Sequence, residues 1–155
     1  MRKILFITLL LIVASCKSKK IVSDTKESKE IRIVEVSEVA SVKKERAYEL
    51  GNRLLETCNT SKFKVFTKSE ATEKVINNAT PEHIAAICKK INQRNGKYLG
   101  LELLDVTYNP QIEEYQFRYI ISYQKKLYKR ELYVTVDKED KVSAIITKEV
   151  KPKPL

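Results

Sequence analysis

An α+β domain, with N-terminal helices packed on a curved four-stranded antiparallel sheet, is the architecture this sequence predicts. Three observations predict it. Apolar residues recur at helical spacing from Val39 to Cys58 and again from Ile84 to Ile91. After Gly96 the period drops to two and stays there to Val150. Turn-forming clusters, "NPQ", "KK" and "DKED", then cut this second half into four runs short enough to join as a meander. At 155 residues and 43% hydrophobic, the chain has room for one domain with a core, and its three Gly and four Pro argue against a repeat or low-complexity body.

The first twenty residues, "MRKILFITLLLIVASCKSKK", follow a different rule. Two positive charges precede an almost wholly apolar run from Ile4 to Val13, about half the length that a membrane-spanning helix needs. A charged start, a short apolar stretch and small residues before a cut are the pattern of a secretory leader. The run ends in Val13-Ala14-Ser15-Cys16, which resembles the lipobox of bacterial lipoproteins. The resemblance implies that Cys16 is lipidated and becomes the first residue of the mature chain, so that acyl chains tie the protein to a membrane at about 0.8 kcal/mol per buried methylene. Lys17 stands where an Asp would imply retention at the inner membrane. The expected address is therefore the cell envelope, at the outer membrane and facing the periplasm.

These readings divide the chain into a signal peptide over 1–15, the lipidated Cys with a tether over 16–37, one α+β domain over 38–150, and a tail over 151–155. The tether is rich in Lys, Ser, Glu and Thr, too polar to offset the entropy of ordering. Ile31, Ile33, Val34 and Val36 at its end suit either a short strand or a lead into the first helix. Val39, Val42, Ala47, Leu50, Leu54 and Cys58 predict a helix to about Thr57. Phe63 and Phe66 follow, and Ser69 is the expected N-cap of a short helix through Val75 and Ile76.

The strongest helix signal is "TPEHIAAICKKINQRNG". Thr80 can cap it, Pro81 suits the first position, Glu82 suits the positive end of the dipole, and Gly96 can close it in a left-handed cap. Beyond it, "YLGLELLDVTY", "EYQFRYIISYQ", "LYKRELYVTV" and "KVSAIITKEV" are the four strands. In the second of them Tyr115, Phe117, Tyr119, Ile121 and Tyr123 fall on one face.

This order resembles the small cone-shaped domains of the nuclear-transport-factor-like superfamily. Its landmarks are Phe63, Phe66, Gly96 and Lys141 to Ile145, and a cystatin-like arrangement is the nearest alternative. The resemblance implies a cavity between sheet and helices, lined by Tyr115, Phe117, Tyr119, Tyr123 and Tyr133 with Asp105 or Glu102 as the carboxylate. The residues themselves read more plainly as core packing. Cys58 and Cys88 suit either a disulfide in an exported chain or two buried thiols. His83, the one histidine, has no second ligand for a metal and suits a capping role.

The formal charge of +10 raises the question of nucleic acid. Residues 38–150 carry 20 basic against 16 acidic side chains, interspersed, which is a solvated surface and not a phosphate-binding stripe. No nucleophilic triad, phosphate loop or CxxC motif is present, and no cofactor is implied. The expected function is a non-catalytic module for a small apolar ligand or a protein partner. The alternatives are a small cavity enzyme doing acid/base chemistry of the isomerase or dehydratase kind, and an inhibitor or immunity protein.

Overall fold

The computed structural model describes residues 30–150; the leader, Cys16, most of the expected tether and the tail from 151 lie outside the described residues. Among them the chain runs β1 (Arg32–Val34), a 3-10 turn (Val36–Glu38), α1 (Ser41–Thr60), α2 (Glu73–Asn78), α3 (Pro81–Asn95), β2 (Tyr98–Asn109), β3 (Glu114–Tyr123), β4 (Lys129–Val136) and β5 (Val142–Val150). The strands form one open antiparallel sheet in chain order. It has five strands, one more than the periodicity predicts. The extra strand, β1, is only three residues long, too short to establish a period. It lies within the stretch read as tether, with Val34 opposite Val106 at the edge of β2.

The alternation expected of β3 is what the sheet uses. Phe117, Tyr119, Ile121 and Tyr123 are buried beneath the helices, while Gln116, Arg118, Ile120 and Ser122 lie on the outer face. α1 rests on this inner face through Ala47, Leu50, Leu55 and Cys58. Its seat is set by Gly51, where an added Cβ would lie 2.7 Å from Leu132 Cδ2 and 3.3 Å from Val134 Cγ2 on β4. Only a residue without a side chain lets the helix axis come this close.

α3 begins as its sequence predicts, with Thr80 Oγ1 accepting from the His83 N–H at 3.3 Å and Pro81 in the first turn. Gly96 ends it with φ 72° and ψ −160°, an extended mirror-image conformation open to glycine and not the left-handed helical cap expected. A disulfide joins Cys58 in the last turns of α1 to Cys88 in α3, Cα to Cα 4.7 Å. Beside it Asn92 Nδ2 donates to the Cys58 carbonyl at 2.7 Å.

The short middle helix starts later than Ser69. Thr72 is its N-cap, because the chain before it is held extended by a parallel bridge between Ala71 and Val142. The Thr72 N–H donates to the Val142 carbonyl, and the Val142 N–H to the Glu70 carbonyl, both at 3.0 Å. Two register shifts interrupt β2 against β3, between Tyr98 and Gly100 and between Leu103 and Asp105, leaving Leu99 and Leu104 as bulge residues.

Two outcomes test this packing. Gly51→Val should destabilise the fold by about 2–3 kcal/mol through overpacking against Leu132 and Val134, read by urea titration. Reducing the disulfide frees a loop with a sequence separation of 30. In the same titration this should cost about 3–4 kcal/mol in the chain-entropy model.

Candidate functional site

The residues expected to share one cavity fall into two sets. Phe117, Tyr119 and Tyr123 are sealed between α1 and the sheet, with Tyr115 partly buried at the end of the same row. Burial pushes the phenols of Tyr98 and Tyr119 well above their usual range, and that of Tyr123 up to about 12. Tyr133 and Asp105 lie on the opposite face of the sheet, because each pairs with Arg118, an outward position of β3. The bulge at Leu104 puts Asp105 outward, a shift of face that plain alternation along β2 does not anticipate. Glu102, opposite Ile120, also faces outward.

On that outer face the expected carboxylate is already engaged. Arg118 Nε donates to both oxygens of Asp105, at 3.1 and 3.0 Å, its Nη2 also bonds Asp105, and its Nη1 lies 3.7 Å from Glu131 Oε2. The hydrogen bond to Asp105 holds the guanidinium above its ordinary pKa. Tyr133 Oη donates to Glu131 Oε2 at 2.7 Å, a bond that raises the phenol's pKa, and Lys148 Nζ sits 4.6 Å from the centre of the Tyr133 ring. Two carboxylates, a guanidinium and an ammonium offset one another across four strands, with the phenol bonded among them. Glu131 is thereby an acceptor for Arg118 and Tyr133 and does not face an apolar chamber as a base would.

An apolar groove opens elsewhere, between α2, α3 and the start of β5, with a volume of about 280 Å³. Leu54, Phe66, Val75, Ile84, Ile87 and Ile145 are its apolar walls, Lys74, Asn78, His83 and Ser143 its polar lining, and Ile146, opposite outward Tyr133, borders it at the edge of β5. Ser143 Oγ is buried without a hydrogen-bond partner. His83 Nδ1 donates to the Asn78 carbonyl at 2.7 Å, tying the start of α3 to the end of α2. His83 therefore caps, as its sequence position suggests, and also lines the groove.

The wall that carries Phe66 and Val75 is held from α1. Arg53 Nη2 pairs with Glu70 Oε1 at 2.9 Å and its guanidinium lies 5.0 Å over the Phe66 ring, while Phe66 meets Phe63 edge to face at 5.4 Å. Sequence reasoning missed this groove. One sign of it is Ile87, which belongs to the apolar stripe of α3 by spacing yet is left exposed by the core. The residues that meet there, however, come from five separate segments, α1, the stretch at Phe66, α2, α3 and β5. Among the described residues no group of His, Cys, Asp and Glu is placed to hold a metal ion, and no helix is long and apolar enough to cross a membrane. The chain matches no family model, no curated protein and no solved structure.

The groove's wall should loosen in acid. Burial of Glu70 acts to raise its pKa, but the Thr67 N–H and Arg53 outweigh this and hold it below 4.5. A carboxylate with a depressed folded pKa contributes stability above its unfolded value, and that contribution is lost as pH falls through the folded value. Glu70→Gln should cost about 1–2 kcal/mol near neutrality and flatten the loss of stability below pH 4.5, measured by denaturant titration across pH.

Proposed function

We propose that this chain is a lipoprotein anchored in a bacterial envelope through Cys16, and that its folded domain is a non-catalytic binding module for a small amphipathic ligand. The observation that carries the binding reading is the contrast between a filled centre and an open side. Phe117, Leu50, Leu132 and Val134 have no exposed surface, whereas the groove beside α2 and α3 has apolar walls and a few polar groups, the composition of small-ligand sites. Lys74 suits an acidic head group, and the Ser143 hydroxyl suits a hydrogen bond from within.

The anchor rests on the lipobox-like Val13-Ala14-Ser15-Cys16, and the Cys58–Cys88 disulfide fits an oxidising compartment. The finer fold assignment belongs to the same proposal. Helices on one face of an antiparallel meander support a cone-shaped domain of the nuclear-transport-factor-like kind, here with β1 added at one edge. The outer membrane facing the periplasm is the proposed site of attachment, on the strength of Lys17.

Two measurements test the proposal. Cys16→Ser should move the protein from the membrane fraction to the soluble fraction of its host; native protein recovered with Met1 still attached would overturn the anchor. A fluorescent medium-chain fatty acid should bind the purified chain. Ile87→Asp, at a solvent-exposed rim position, should weaken it at least about tenfold by desolvating a charge in the apolar wall. Unchanged binding in this variant would overturn the groove as the site.

A further inference from the structure

The two ends of the sheet carry opposite charge. At one end the β2–β3 and β4–β5 turns present Glu113, Glu114, Asp137, Glu139 and Asp140, with Lys138 and Lys141 among them. At the other, the stretch Ile121 to Arg130, "ISYQKKLYKR", has four basic side chains and no acidic one. Every residue from Gln124 to Lys129 in this β3–β4 hairpin is exposed. Beside it stands exposed Lys97, just before β2.

Between these cations the hairpin exposes apolar surface that the fold does not use. Leu127 is 74% exposed, Leu99 on its bulge 66% and Tyr128 41%. Leu99, Ile120 and Tyr128 line a groove of about 450 Å³ rimmed by Lys125, Lys126 and Lys129. The hairpin is braced from α3, where the Arg94 guanidinium lies 4.6 Å over the Tyr128 ring and Lys125 Nζ donates to the Gln93 carbonyl at 3.0 Å. Glu149, the acid nearest this brace, is shared between Arg94 and Arg130 at 3.1 and 3.6 Å.

We infer that this hairpin docks on an anionic phospholipid surface, with Leu127, Leu99 and Tyr128 entering the head-group layer and the lysines facing the phosphates. Apolar tips ringed by cations match such an interface in both polarity and charge. The inference goes beyond the binding reading above and extends the anchor reading by giving the tethered domain an orientation. Chain length permits both attachments at once. The fourteen residues from Lys17 to Glu30 reach at most about 50 Å when extended. β1 starts opposite Tyr108, so the chain enters at the acidic end, and the length of β2 that separates it from the hairpin is about 40 Å.

The chain has no Trp, so one introduced Trp reports its own position. L127W in the full chain should shift its emission to the blue and be quenched by brominated lipid on vesicles containing phosphatidylglycerol, and not on pure phosphatidylcholine. I112W, exposed in the turn at the acidic end, should do neither. Adding K125Q, K126Q and K129Q to L127W should weaken vesicle binding by about 100-fold, at roughly fivefold per lysine. L127W that stays in water on anionic vesicles, or that is quenched no more than I112W, would overturn the proposal, as would equal quenching on neutral lipid. The reporter reads position 127 whether or not Cys16 carries lipid, so a product bare at Cys16 overturns the anchor alone.

Discussion

The rest of the molecule depends on how low α1 sits on β4. At Gly51 the helix backbone meets Leu132 and Val134 with no side chain between, and this closes the space above the aromatic row of β3. Residues flanking that contact carry the closure to the sheet's edge. Tyr98 Oη donates to Asn52 Oδ1 at 2.7 Å, while Asn59 accepts from the Tyr98 N–H at 3.0 Å and donates to its carbonyl at 2.8 Å, so α1 grips the start of β2 by both side chain and backbone. A helix seated one side chain higher would leave room for a chamber; this one does not.

A filled centre leaves concave apolar surface only at the margins, where the proposed binding site lies. The groove beside α3 is assembled from segments whose positions are fixed independently: α3 by its disulfide to α1, the Phe66 segment by Arg53 and Glu70, and the approach to α2 by the Ala71 bridge to β5. Such a site is pre-formed, which lowers the ordering entropy that a ligand must offset. The outer face of the sheet serves differently. Its Asp105, Arg118, Glu131 and Lys148, balanced in charge, and Tyr133 between them cover the pleated surface with polar groups met internally.

Much of the fold was legible because it rests on long periodic runs. The stripe Ile84, Ile87, Cys88, Ile91, buried except at Ile87, the Thr80–Pro81 start of α3 and the alternation of β3 all lie in single segments where 3.6 or 2 is repeated often enough to read. What escaped was short or non-local. β1 has three residues, the cap at Thr72 depends on a bridge to Val142, and the bulge at Leu104 turns Asp105 to the other face without disturbing composition. Gly51 carries no signal of its contact in the sequence, since its partner Leu132 is 81 positions away in the chain. For the same reason the groove, a meeting of Leu54, Phe66, His83 and Ile145, had no linear signature, whereas the basic hairpin was one contiguous run whose exposure only the fold decides.

The two bulges of β2 also bear on crowding. β1 covers only the stretch from Val106 to Tyr108, and among the described residues no other strand pairs with that side of β2. A straight uncovered strand is a template for a neighbour's backbone, and molecules confined to a plane meet edge to edge far more often than molecules free in volume. By breaking the regular spacing of amide and carbonyl groups at Leu99 and Leu104, the irregular rim denies an incoming strand a continuous ladder. Under the anchored reading, the fold could thus be packed densely on a surface without polymerising along its open side.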